Sequence, residues 1–192
     1  MKNEKTRILC EGGLIVALTT VLSFVKIWQA PYGGSVTLLC MAPLILFSLR
    51  RGVKNALCAG FAAAVIQLMF GLQNVAWVPT AWGIALCILL DYLLAYTLLG
   101  LAGLFRTLPP VRAALLGTLL VCLLRFACHL VSGAVIWYAL DLQWYAEDAG
   151  HIVNRYGPWL FSLIYNGSFM LPETLETLVG VPLLYKALGE KR

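Results

Sequence analysis

Charge is scarce in this sequence: Asp, Glu, Lys and Arg together make up 12% of it, about half the share of an ordinary soluble domain. The net charge of +5 does not point to nucleic acid, because the basic residues are scattered at segment ends rather than gathered on one face. Motifs for chemistry are missing as well. There is no GxxxxGK[ST], so the chain does not bind ATP through a P-loop, and no HExxH or GxSxG. Its two histidines, His129 and His151, lack companion ligands, which argues against a metal centre. The six cysteines (Cys10, Cys40, Cys58, Cys87, Cys122 and Cys128) form no CxxC pair. Most lie in apolar runs, where a thiol behaves as a small hydrophobe, so buried, inert cysteines are expected.

What is abundant is apolar: 61% of residues are hydrophobic and the mean hydropathy is +0.85. An all-α integral membrane protein follows. MKNEKTR leads into a stretch long enough to span, without a small-residue cleavage site, so the first segment is expected to remain in the mature chain. Six transmembrane helices are expected, at about 7–27, 35–49, 56–71, 81–105, 113–140 and 158–188, forming one membrane domain over residues 1–192. The second is short for a span, and is expected to tilt or to bend at Pro43. WQAPYGG, after the first, suits an interfacial loop or a lid. DLQWYAEDAGHIVNRYG, before the sixth, is the longest and most acidic loop.

With six spans, Lys2, Lys5, Arg7, Arg50, Arg51, Lys54, Arg106, Arg112, Lys186, Lys191 and Arg192 fall on one side, and Lys26 and Arg155 are nearly alone on the other. Short cytoplasmic loops collect Lys and Arg, so both termini are expected in the cytoplasm.

Ionisable residues inside such spans are costly and seldom face lipid. Arg125, His129 and Trp137 form a stripe in the fifth segment. Asp91 and Tyr92 lie in the fourth, and Asn166 about 12 Å into the sixth by the helical rise. Asp91, His129, Trp137 and Asn166 thus converge in the outer half of the membrane. A pocket with a carboxylate, an amide and aromatic faces suits a small, flat, positively charged heterocycle. Other readings are open at each position. Asp91 could pair with Arg125, Trp137 could anchor at the interface, and Glu173 and Glu176 could satisfy groups freed by a kink at Pro172. Gly13 and Ala17, four apart, suit close helix approach, either within the chain or to a partner.

Several stretches carry a family resemblance: YGGSVTLLCMAPLILFSLRRG, the pair Asp91–Tyr92, LAGLFR, HLVSGAVIW and YNG at Tyr165 to Gly167. Across nearly the whole chain the sequence resembles the thiamine-specific substrate-binding subunits of energy-coupling factor transporters. The resemblance implies a vitamin pocket lined by Asp91, Tyr92, His129, Trp137 and Asn166, in a multi-pass protein of the bacterial plasma membrane. Asp91 stands where the family usually has Glu. A stacking Trp of the first loop falls at Gly34, a carboxylate of the second helix at Leu38, and a Tyr of the sixth helix at Phe161, which keeps the ring. Trp28, Tyr32 or Trp77 could compensate.

The resemblance further implies thiamine as ligand, no cofactor, and partners in the form of a transmembrane coupling protein and two cytoplasmic ATPases. Gly13 and Ala17 match the helix that docks on the coupling protein. Competing readings are a subunit for another vitamin or a thiamine precursor, a small intramembrane enzyme using His129 with Asp91, and an autonomous secondary transporter.

Overall fold

The computed structural model describes residues 2–188, apart from the side chains of Lys2 and Tyr32. Lys191 and Arg192 therefore lie outside the described residues. The chain is mostly helical. Helix α1 covers Lys2–Ser23, α2 Ala42–Arg51, α3 Val53–Val75, α4 Ala81–Phe105 and α5 Pro110–Trp144. A short α6 follows at Ile152–Arg155, then α7 at Pro158–Ala187. By length and composition α1, α3, α4 and α5 can each cross a membrane. Side chains such as Leu9, Leu14, Trp82 and Leu183 are exposed on the outside, where a membrane protein meets acyl chains rather than water.

Helix starts follow local chemistry. Pro43, Pro110 and Pro158 occupy the first turns of α2, α5 and α7, where a missing N–H costs nothing and the fixed φ suits the helix. Thr80 caps α4 by accepting from Gly83 N at 3.1 Å. Gly52, at φ 84°, breaks α2 from α3 in a conformation glycine tolerates best.

Two expectations are corrected. Pro43 does not bend a second span, because it opens α2. Nor is the fold purely helical: Lys26–Gln29 (β1) and Ser35–Thr37 (β2) form an antiparallel hairpin. WQAPYGG makes the end of β1 and the turn, with Pro31–Gly33 as one turn of 3-10 helix. The cysteine expectation is also revised. Cys40, Cys87, Cys122 and Cys128 are buried, whereas Cys10 and Cys58 are exposed. A small apolar thiol is as much at home against lipid as in a core.

The largest core cluster lies where α2, α3 and α4 meet α5, around Met41, Leu44, Ile45, Leu99 and Val121. Small residues make it tight, since a Cβ at Gly100 would come within 2.6 Å of Leu57 N in α3. At the same end Arg51 holds Glu11 of α1 through two contacts of 2.6 Å. Gly13 and Ala17 point away from this packing: both are exposed, and nothing lies within 4 Å of a Cβ built at Gly13. Internal packing at that pair is not what the fold uses them for.

Candidate functional site

A cavity of about 840 Å³ opens between the hairpin and helices α3, α4, α5 and α7, within the range of small-molecule sites. Asp91 of α4 sits at its heart. Oδ1 lies 2.9 Å from Nδ1 of His129. Oδ2 accepts from Ser132 Oγ at 2.6 Å, Trp137 Nε1 at 3.0 Å and Cys87 Sγ at 3.5 Å. Asp91 thus gathers three side chains of α5. It does not pair with Arg125, whose guanidinium carbon lies 4.6 Å over the Tyr96 ring.

Local helix geometry makes this convergence possible. At 3.6 residues per turn, residue 137 would fall about 80° around α5 from residue 129. A π-helical turn at Gly133–Trp137 absorbs an extra residue and rotates Trp137 back over His129. Asp91 lies within a second π-helical stretch, Ile88–Leu94. Carbonyls that open the α5 turn find partners on α7: His129 O accepts from Asn166 Nδ2 at 3.1 Å, and Leu130 O from Ser162 Oγ at 2.7 Å. Gly133 permits that approach, since a Cβ there would collide with Ser162 Oγ and stand 2.7 Å from Asn166 Nδ2.

Asp91, Tyr92, His129, Trp137 and Asn166 all line the cavity. Tyr92 faces α3, its hydroxyl donating to Gly71 O at 3.1 Å. Phe161 lies elsewhere: it is buried and packs against Tyr138 and, nearly parallel at 6.3 Å, against Tyr165. It backs the cavity wall instead of forming it. Tyr32 is in the hairpin turn, and its side chain lies outside the described residues. Leu38 is 45% exposed and faces an apolar groove beside α1 and α2. Trp28 is exposed on β1, while Trp77 lines the cavity, with Trp144 edge-on at 6.0 Å.

Phe169 was not foreseen. Its ring lies 2.6 Å from where a Cβ at Gly34 would be, so it fills the space a side chain at 34 would claim. It also stands edge-on to His129 with centroids 6.2 Å apart. Tyr165, one turn earlier, donates its hydroxyl to Pro31 O and pins the hairpin to α7. The spacing Tyr165, Asn166, Phe169, Glu173 is that of one helix face, which is the signal that could have grouped them. Glu173 accepts from Thr37 Oγ1 at 2.7 Å and Cys40 Sγ at 3.4 Å. Glu176 accepts from the backbone N of Leu39 at 2.9 Å, holding a residue at φ 54°.

The profile of the family described as "Thiamine transporter protein (Thia_YuaJ)" matches residues 9–191. The chain belongs to this thiamine transporter family. It is 30% identical to "Thiamine transporter ThiT" of Bacillus subtilis over 193 residues, covering 92% of this chain and 89% of the relative. It is 26% identical to "Thiamine transporter ThiT" of Lacticaseibacillus paracasei over 199 residues, covering 95% and 89%. The solved structure of ThiT from Listeria monocytogenes superposes with a TM-score of 0.74 at 22% identity, over 96% of both chains, and shows the same fold. The thiamine transporter family is one of transport and binding proteins, not enzymes. With its apolar helices, the chain is a multi-pass protein of the cell membrane.

Proposed function

We propose that this member of the thiamine transporter family is the thiamine-binding subunit of an ATP-driven importer, capturing the vitamin from outside in the cavity around Asp91. The observation that carries the reading is the contact of Asp91 with His129 and Trp137 at the wall of that cavity. It gathers negative charge, an imidazole and an indole around a space of ligand size. A cationic thiazolium joined to an aminopyrimidine is complementary to this wall, through cation–π attraction and hydrogen bonding. Tyr92 and Asn166 are assigned to the same pocket, with Phe161 supporting Tyr165 behind it. No cofactor is assigned.

The chain is read as one domain with six passes and both termini in the cytoplasm. α2 has only ten residues, about 15 Å, but residues 35–41 lead into it in extended and turn conformations and can add about 20 Å. Together they reach the roughly 30 Å of a bilayer core. Val36, Thr37, Cys40 and Met41 in this lead-in are buried, as irregular backbone at membrane depth requires. Lys5, Arg7, Arg50, Arg51, Lys54, Arg106, Arg112 and Lys186 lie near the helix ends of one side, which supports that side as cytoplasmic. The cavity then opens outward beneath the hairpin. Energy is assigned to partners, a membrane coupling protein and two ATPases, because the sequence carries no P-loop. Gly13 and Ala17 are the proposed contact to the coupling protein.

Titration of the detergent-purified protein with thiamine, read by intrinsic tryptophan fluorescence, tests the ligand. Saturable quenching is expected. A folded sample that does not respond in fluorescence or calorimetry rejects thiamine.

A further inference from the structure

Below the ring of Asp91, His129, Trp137 and Asn166, the cavity has a second polar floor. Arg125 is one helical turn before His129, about 6 Å along the axis of α5. Glu173 is two turns beyond Asn166 on α7, which runs in the opposite sense. Both line the cavity, with Arg125 only 7% and Glu173 1% exposed.

Neither side chain is used up by the protein. Nε and Nη1 of Arg125 and Oε2 of Glu173 are buried without a hydrogen-bond partner. Among the described residues no ion pair within 4 Å joins the two. Their positions are nevertheless fixed. Thr37 and Cys40 hold the other oxygen of Glu173, and the Tyr96 ring lies under the guanidinium. What remains is a set of N–H donors and one carboxylate acceptor, held in fixed positions on two residues that line the cavity.

We propose that this floor is a hydroxyl-recognising subsite, in which Arg125 donates to and Glu173 accepts from the alcohol of bound thiamine. The inference rests on the reading of the cavity as a thiamine site. A hydroxyl is the small group that satisfies both partners, since it accepts and donates at one atom. A phosphate monoester satisfies only Arg125. It carries about −1.5 to −2 charge at neutral pH, and its oxygens would face the Glu173 carboxylate. An ethyl group in place of hydroxyethyl satisfies neither, leaving both buried groups unpaired. Glu173 is therefore the residue that makes the site prefer the free alcohol to its phosphate ester.

Calorimetric titration of the full-length protein in detergent, with thiamine, thiamine monophosphate and the analogue bearing ethyl for hydroxyethyl, tests this. The wild type is expected to bind thiamine about tenfold or more tightly than either other ligand, as a site built around a hydroxyl should. In Glu173→Gln the carboxylate charge is gone while the shape remains, so monophosphate affinity should rise relative to thiamine by about tenfold. Equal binding of thiamine and the ethyl analogue by the wild type overturns the proposal without any variant. So does a Glu173→Gln protein in which thiamine and its monophosphate change by the same factor. Failure of folded wild type to bind thiamine at all overturns the underlying reading and this proposal together. Thiamine binding with an unchanged preference removes the floor subsite alone.

Discussion

Trp137 Nε1 donates to Asp91 Oδ2 at 3.0 Å, joining the indole of α5 to a carboxylate on α4 that is itself half-buried. Because Ser132 and Cys87 share that oxygen and His129 takes the other, Asp91 positions the aromatic wall as well as supplying charge. A vitamin entering the cavity would meet a carboxylate already surrounded by donors. The negative potential would then be felt mainly through space, with the indole face held ready.

Replacing Asp91 by Asn should therefore damage binding through two routes, loss of charge and release of Trp137 and His129. Hydrogen bonds to charged groups are worth about 1.5–3 kcal/mol each, so thiamine affinity should fall by roughly ten- to several-hundredfold. Fluorescence titration measures it. An affinity within twofold of wild type would remove Asp91 from the binding machinery.

Trp137→Phe keeps a ring but removes the N–H. Loss of the better cation–π surface costs about 0.5–2 kcal/mol, and the contact with Asp91 is lost as well. A double-mutant cycle between Asp91→Asn and Trp137→Phe should show coupling of about 0.5–3 kcal/mol in thiamine binding. Strictly additive losses would mean the contact does not matter for the ligand.

The apolar spans were legible because a bilayer imposes a length and a composition that few residues can disguise. The residues expected at 81–105 form α4 over the same range, and Asp91, His129, Trp137 and Asn166 do meet. What escaped notice leaves little trace in sequence. Strands of three and four residues show no periodicity to speak of, and a π turn has no composition of its own. Yet the turn at Gly133–Trp137 brings Trp137 into line with His129. Glu173 and Phe169 were within reach, since they fall on the Asn166 face, but Pro172 beside Glu173 suggested a kink instead.

Gly133 should tolerate no larger side chain without a loss of stability. In Gly133→Ala the methyl would strike Ser162 Oγ and crowd Asn166 Nδ2, an overpacking that costs about 1–3 kcal/mol. Gly167→Ala on α7, where a Cβ meets nothing within 4 Å, should be neutral or slightly stabilising. Thermal unfolding in detergent separates the two. Ser162→Ala added to Gly133→Ala should recover part of the loss by removing the oxygen that is struck. No recovery would point to backbone strain at the π turn rather than to this contact.

Gly13→Leu with Ala17→Leu tests the proposed docking face of α1. Both positions are exposed, so larger side chains would lie in lipid, and neither thermal stability nor thiamine affinity of the isolated protein should change by more than about 0.5 kcal/mol. Uptake by cells expressing the complete transporter should fall steeply, because two leucines would separate helix backbones that small residues allow to touch. Pull-down of the coupling protein by the variant should fall in parallel. Lost uptake with intact pull-down would move the defect to a later step of the cycle. Intact uptake would show that the coupling protein docks on some other face, leaving the small residues of α1 to lipid alone.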